Sequence, residues 1–139
     1  MFKVNKKIEY ALMALKHMSA KNKTDLTSVK ELCESYKMPF DVMSKVMQKL
    51  STSEILHSEK GAHGGYYIIE NLNSVNLLDL TEMIIGEKGI TSCTCKSAVT
   101  CSILTTCNVI GPINDLNERL RSFYKNIKIS ELLHTKSAI

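Results

Sequence analysis

Apolar residues recur at helical intervals through residues 7–20, where Ile8, Ala11, Leu12, Leu15 and Met18 fall on one stripe. That spacing predicts an amphipathic helix, followed by a polar turn at 22–26. Ser28 with Glu31 three positions on resembles a capping box, which predicts a second helix turning Val29, Leu32 and Cys33 inward. Pro39 suits the first turn of a third helix. This one runs to about Leu50, with Val42, Val46, Met47 and Leu50 inward and Asp41, Ser44, Lys45, Gln48 and Lys49 on the other side.

Beyond it the period changes. Residues 55–58 and 66–69 are short β-prone stretches around the glycine-rich 61–65, which predicts a hairpin with a loop longer than the tightest turns. Asn76 with Asp79 caps a further helix over 77–85 that ends at Gly86. No period is sustained over 88–110, which reads as a loop with at most one helical turn. After Gly111-Pro112 a longer helix carries Ile113, Leu116, Leu120, Phe123 and Ile127, and 129–133 forms a short tail element.

These elements make a mainly α chain with a small β-hairpin. Three short helices and a hairpin outline a winged helix-turn-helix, the second and third helices forming the turn motif and the hairpin the wing. Residues 1–75 are expected to form the DNA-binding part. Residues 76–139 are expected to hold the cysteine loop and a long C-terminal dimerisation helix, the whole being one compact unit. A protruding amphipathic helix on so small a domain calls for a second copy to cover its apolar face, and helix-turn-helix readers usually act as dimers on palindromic double-stranded DNA.

Charge sharpens the picture. Residues 1–60 hold eleven lysines against seven acids, an excess of four that equals the net +4 of all 139 residues; residues 61–139 hold seven of each sign. The excess therefore sits on the half that would meet a polyanion. No apolar run is long enough to span a membrane, and MFKVNKKIEY lacks the apolar core of a signal peptide, so a cytoplasmic protein is expected. On the third helix, Gln48 suits adenine edges, Lys45 guanine or phosphate, and Ser44 either. With Lys49, the helix-start residues Ser28 and Pro39, and Lys60 and His63 at the wing tip, these are the candidate DNA contacts. Each could equally be an ordinary solvated residue, and their shared place in the motif is what favours recognition. No pair of acid and base side chains suggests catalysis. His17 reads as a helix-surface residue, and the methionines as packing.

Cysteine is distributed the other way. Cys33 stands alone on an apolar helical face, whereas Cys93, Cys95, Cys101 and Cys107 fall within fifteen residues. Cys95, Cys101 and Cys107 are separated by five residues each. Soft thiolates so clustered suit zinc, copper(I) or an iron–sulfur cluster. The paired knuckles of structural zinc and the ferredoxin spacing are both absent, and spacing alone does not separate zinc from iron.

The stretches NKKIEYALMALKHMSA, PFDVMSKVMQKLSTSEIL, SEKGAHGGYYI and NLLDLTEMIIGE, through to the final ISELL, resemble the iron–sulfur winged-helix regulators of the Rrf2 family, over nearly the whole chain. The resemblance implies a homodimeric DNA-binding regulator, a repressor by expectation and not an enzyme. One 2Fe-2S or 4Fe-4S cluster per subunit would be held by Cys95, Cys101 and Cys107 and would sense nitric oxide, redox state or iron supply. IscR-like members take their fourth ligand from a histidine three residues after the last cysteine; that position here is Ile110, which cannot ligate. NsrR-like members use an acid of the first helix supplied by the partner subunit, which corresponds to Glu9. Cys93 is the rival fourth ligand. With it, a four-cysteine zinc site or thiol-redox regulator of the same fold is the alternative, and a small metal or electron-transfer protein the third.

Overall fold

A computed structural model describes residues 3–87, 89–91 and 101–135. Its elements run α1 (Lys6–Ser19), α2 (Val29–Tyr36), α3 (Phe40–Thr52), β1 (Leu56–Glu59), β2 (Gly65–Ile68), α4 (Leu77–Ile85), α5 (Ile110–Lys125) and α6 (Ile129–His134). The winged helix-turn-helix outline is present, and the sequence-based boundaries hold to within one or two residues except at the start of α5. Among the described residues no helix is long and apolar enough to cross a membrane.

Helix α1 packs on α3 and α4, and α2 on α3. Of the predicted stripe, Ile8, Ala11, Leu15 and Met18 are buried and Leu12 is half-buried against the core. In α3 the inward phase lies slightly round from expectation. Met43, Val46, Met47 and Leu50 are buried while Val42 is half-buried, because 43, 46, 47 and 50 are the positions that close one helical face. A Schellman motif ends the helix. The Ile55 N–H donates to the Leu50 carbonyl (3.0 Å) and Glu54 N–H to that of Ser51 (3.1 Å), with Glu54 at φ 61 in the left-handed position usually given to glycine.

The wing is an antiparallel pair in which Leu56 faces Ile68 and Glu59 faces Gly65. A side chain on Gly64 would meet the Glu59 carbonyl at 2.3 Å, so the hairpin closes only with glycine there. On its other edge β2 bridges Thr27, through reciprocal 2.9 Å bonds between the backbones of Thr27 and Tyr66. The wing is thereby fixed to the residue just before α2.

Three expectations are refined, two of them in the C-terminal part. Helix α5 starts at Ile110, placing Gly111 and Pro112 inside its first turn; proline tolerates that position because first-turn N–H groups have no intrahelical partner. Residues 129–133 are no loose tail. They lie in α6, with Ile129 and Leu133 buried in the same cluster as Leu15 and Leu80, and Ile129 N–H bonds to the Val75 carbonyl at 2.9 Å. Helices α4 and α6 thus share the core of the winged helix. Pro39, expected inside α3, is its N-cap.

Candidate nucleic-acid interface and cysteine loop

Residue chemistry and cap geometry fix the start of the turn motif. Ser28 Oγ accepts the Glu31 N–H at 3.0 Å, one half of the expected capping box. The other half is absent, because Glu31 turns its carboxylate to α1. There His17 Nε2 lies 2.9 Å from Oε1 and Lys21 Nζ 2.5 Å. His17 Nδ1 meets the Tyr36 hydroxyl at 2.8 Å. His17 is therefore half-buried at the α1–α2 seam rather than a free surface residue. Partial burial works to raise the Glu31 pKa, but the hydrogen bonds from Lys21 and His17 and their charges together outweigh it and hold the carboxyl below its ordinary range.

From this frame α3 presents Lys45 and Gln48 fully to solvent and Ser44 half-buried. Pro39 supplies no side-chain cap, so the first N–H groups of α3 stay open to an anion. Lys60 and His63 are exposed at the wing tip. Lys49 does not simply project outward. Its ammonium donates to the carbonyl of Ile84, in the last turn of α4, at 2.6 Å, and so ties the third helix to the fourth. Two exposed aromatics were not expected from the sequence, Tyr36 and Phe40, which flank the turn; Phe40 is 57% exposed.

In the cysteine loop, Cys101 and Cys107 are half-buried free thiols. Consecutive turns join them, with Leu104 N–H bonding to the Cys101 carbonyl at 3.2 Å and Cys107 N–H to that of Leu104 at 3.4 Å. Cys93 and Cys95 lie outside the described residues, among which no group of three or more His, Cys, Asp or Glu forms a metal site. Two residues after Cys107 comes Val109, the N-cap of α5, which has no side chain to satisfy the helix's first N–H groups. Thiol sulfur is a soft donor, of the kind that zinc, copper(I) and iron–sulfur clusters take. The described donors therefore fit a soft, sulfur-ligated inorganic group. Cys33 packs against the core, where burial, helped by the Glu34 charge, pushes its thiol pKa up.

Glu9 occupies the first turn of α1, its carboxylate 2.7 Å from Lys6 Nζ and 40% exposed. Behind the loop, Arg121 of α5 reaches Glu82 of α4 at 2.8 Å and Glu87 at 3.8 Å. Asn117 is buried and accepts the Ile90 N–H at 3.3 Å. Leu116 and Phe123 leave α5 with an exposed apolar face.

The family model described as "Rrf2: Iron-dependent Transcriptional regulator" matches residues 4–135. The chain belongs to the Rrf2 family. It is similar to a protein of Aquifex aeolicus provisionally described as an HTH-type transcriptional regulator, with 26% identity covering 91% of this chain and 88% of that one. The regulator NsrR of Oceanobacillus iheyensis is 25% identical over 88% of this chain and 81% of its own. Among solved structures, CymR, the global cysteine regulator of B. subtilis, superposes with a TM-score of 0.71 at 14% identity, over 99% of this chain and all of that one. That likeness shows the winged-helix regulator fold. This Rrf2 protein is a transcriptional regulator, and the relatives it matches are regulators rather than enzymes.

Proposed function

We propose that this regulator binds palindromic operator DNA as a homodimer and that an iron–sulfur cluster held by Cys95, Cys101 and Cys107 sets its affinity. The observation that carries this reading is the pair of half-buried thiols, Cys101 and Cys107, on consecutive turns at the uncapped start of α5. Glu9 of the partner subunit is the favoured fourth ligand. On this chain Glu9 is accessible, and its contact with Lys6 is an exposed, solvent-screened pair, so ligation displaces little. A carboxylate oxygen is a harder donor than thiolate and leaves that iron open to small molecules. The bound cluster would supply an iron centre reactive toward nitric oxide or oxidants.

The chain's own residues supply the DNA-binding half. Ser44, Lys45 and Gln48 of α3 read the major groove, with Ser28, Pro39, Lys60 and His63 on the backbone or the minor groove. A cluster that favours one dimer geometry shifts the spacing of the two recognition helices. The two half-sites must lie about one helical turn apart, so a small rotation changes affinity.

Protein purified without oxygen is assayed for iron, sulfide and zinc, and its affinity for selected operator duplexes is measured before and after cluster removal. The reading requires iron and sulfide, their loss in Cys101→Ala and Cys107→Ala, a visible spectrum altered in Glu9→Ala, and unequal affinities. Zinc without sulfide, or equal affinities, would overturn it in favour of the zinc or thiol regulator.

A further inference from the structure

A cleft of about 250 Å3 lies where the N-terminal end of α1 meets α3, lined by Lys7, Lys45, Val46, Gln48, Lys49, Thr52 and Ile84. Three of these side chains are cationic and none is acidic. The lysines differ from ordinary surface lysines in their surroundings. Lys49 is anchored by its 2.6 Å bond to the Ile84 carbonyl, which fixes the ammonium at the cleft and leaves two of its three N–H donors free. Lys6, next to Lys7, is neutralised by Glu9, whereas Lys7 and Lys45 have no acidic partner among the described residues. Asp41, one turn before Lys45 on α3, forms no ion pair with it.

Like charges brought together without a counter-charge repel one another, so such a cleft favours an anion. Its position selects which anion. Lys45 and Gln48 also belong to the outward face of α3, so the cleft is continuous with the surface read as meeting the major groove, beyond which a DNA backbone runs. We propose that Lys7, Lys45 and Lys49 clamp one backbone phosphate of the bound duplex, extending the footprint from the turn motif to the first turn of α1. This rests on the DNA-binding reading above and adds to it a contact that positions the protein without reading sequence.

The test uses the full chain, with duplex affinity measured by fluorescence anisotropy over a range of salt. Lys7→Gln is expected to weaken binding about fivefold to tenfold at 0.1 M salt, on selected and unrelated duplexes alike, and to reduce the slope of log K against log salt by about one. Lys7→Arg retains both. In a scan replacing single phosphates by neutral methylphosphonates, one position weakens wild type and leaves Lys7→Gln unaffected. The Lys7 side chain is exposed, so the thermal melt of Lys7→Gln should match wild type. Wild-type affinity and slope in Lys7→Gln, with DNA still bound, overturn the clamp alone. A flat methylphosphonate scan with inorganic phosphate competing below millimolar concentration overturns it in favour of a free-anion site. Failure of wild type to bind any duplex overturns the DNA-binding reading and the clamp with it.

Discussion

Ser28 carries two assignments at once, as the N-cap of α2 and as a DNA contact, and two substitutions separate them. Its Oγ accepts the Glu31 N–H at 3.0 Å. Helix α2 has only eight residues and ends on Lys37 at φ 54, a left-handed position that glycine would take without strain, so it has little stability of its own. Losing the cap in Ser28→Ala should therefore cost about 1 kcal/mol. A melting entropy of about 2.1 cal/mol/K per residue, over 139 residues, converts this into a Tm lower by about 3 °C. Ser28→Asp keeps a cap of equal quality beside the positive end of α2, so its Tm should stay within about 1 °C of wild type. The same carboxylate facing a phosphate should weaken operator binding about fivefold, the equivalent of about 1 kcal/mol of repulsion across water. Calorimetry and anisotropy on the three proteins read both axes. Equal destabilisation of the two variants would refute the cap argument, and full DNA affinity in Ser28→Asp would remove Ser28 from the interface.

Thr27 is fully buried with both backbone groups paired to Tyr66, but its hydroxyl oxygen has no hydrogen-bond partner among the described residues. Thr27→Val should raise stability by about 1 kcal/mol in denaturant unfolding; an unchanged or lowered midpoint would mean the hydroxyl is satisfied. Glu31, whose folded pKa lies below its usual value of 4.5, adds stability that is fully present above pH 4.5 and lost as pH falls through the folded pKa. Glu31→Gln should accordingly be less stable than wild type at pH 7, with the gap closing below pH 4.5, as urea unfolding at several pH values would reveal. Phe123, 62% exposed on α5, belongs to the proposed dimer face. Phe123→Glu should sediment as a folded monomer at concentrations where wild type is a dimer, and a persistent dimer would place the interface elsewhere.

Periodicity made the winged helix readable because each helix buries a stripe set by its own sequence. The stripe of α1 and the cap of Asn76 on Asp79 are local, and both are found as expected. What escaped depends on distant partners. The side chain of Glu31 has the spacing of a capping box, but it is claimed by His17 of α1 and by Lys21 just beyond that helix. Lys49 falls on an outward position of α3, yet its ammonium bonds to a carbonyl 35 residues away. The tail 129–133 is too short to show a period, and its burial follows from its return to Val75 and Leu72. Val109 gives no polar signal for the start of α5, so Pro112 was read as the beginning. In the candidate site, the even spacing of the cysteines was visible, whereas the three-lysine cleft forms only when α1 and α3 are packed together.

The contacts that Lys49 and Arg121 make near the end of α4 have a mechanical consequence. One bolts α3 to the Ile84 carbonyl in the last turn of α4, and the other bolts α5 to the same helical turn and to Glu87 just beyond it. The segment that leads into the cysteines is therefore seized from both sides. A strain arising in that segment has only a lysine and an arginine to cross before it turns α3.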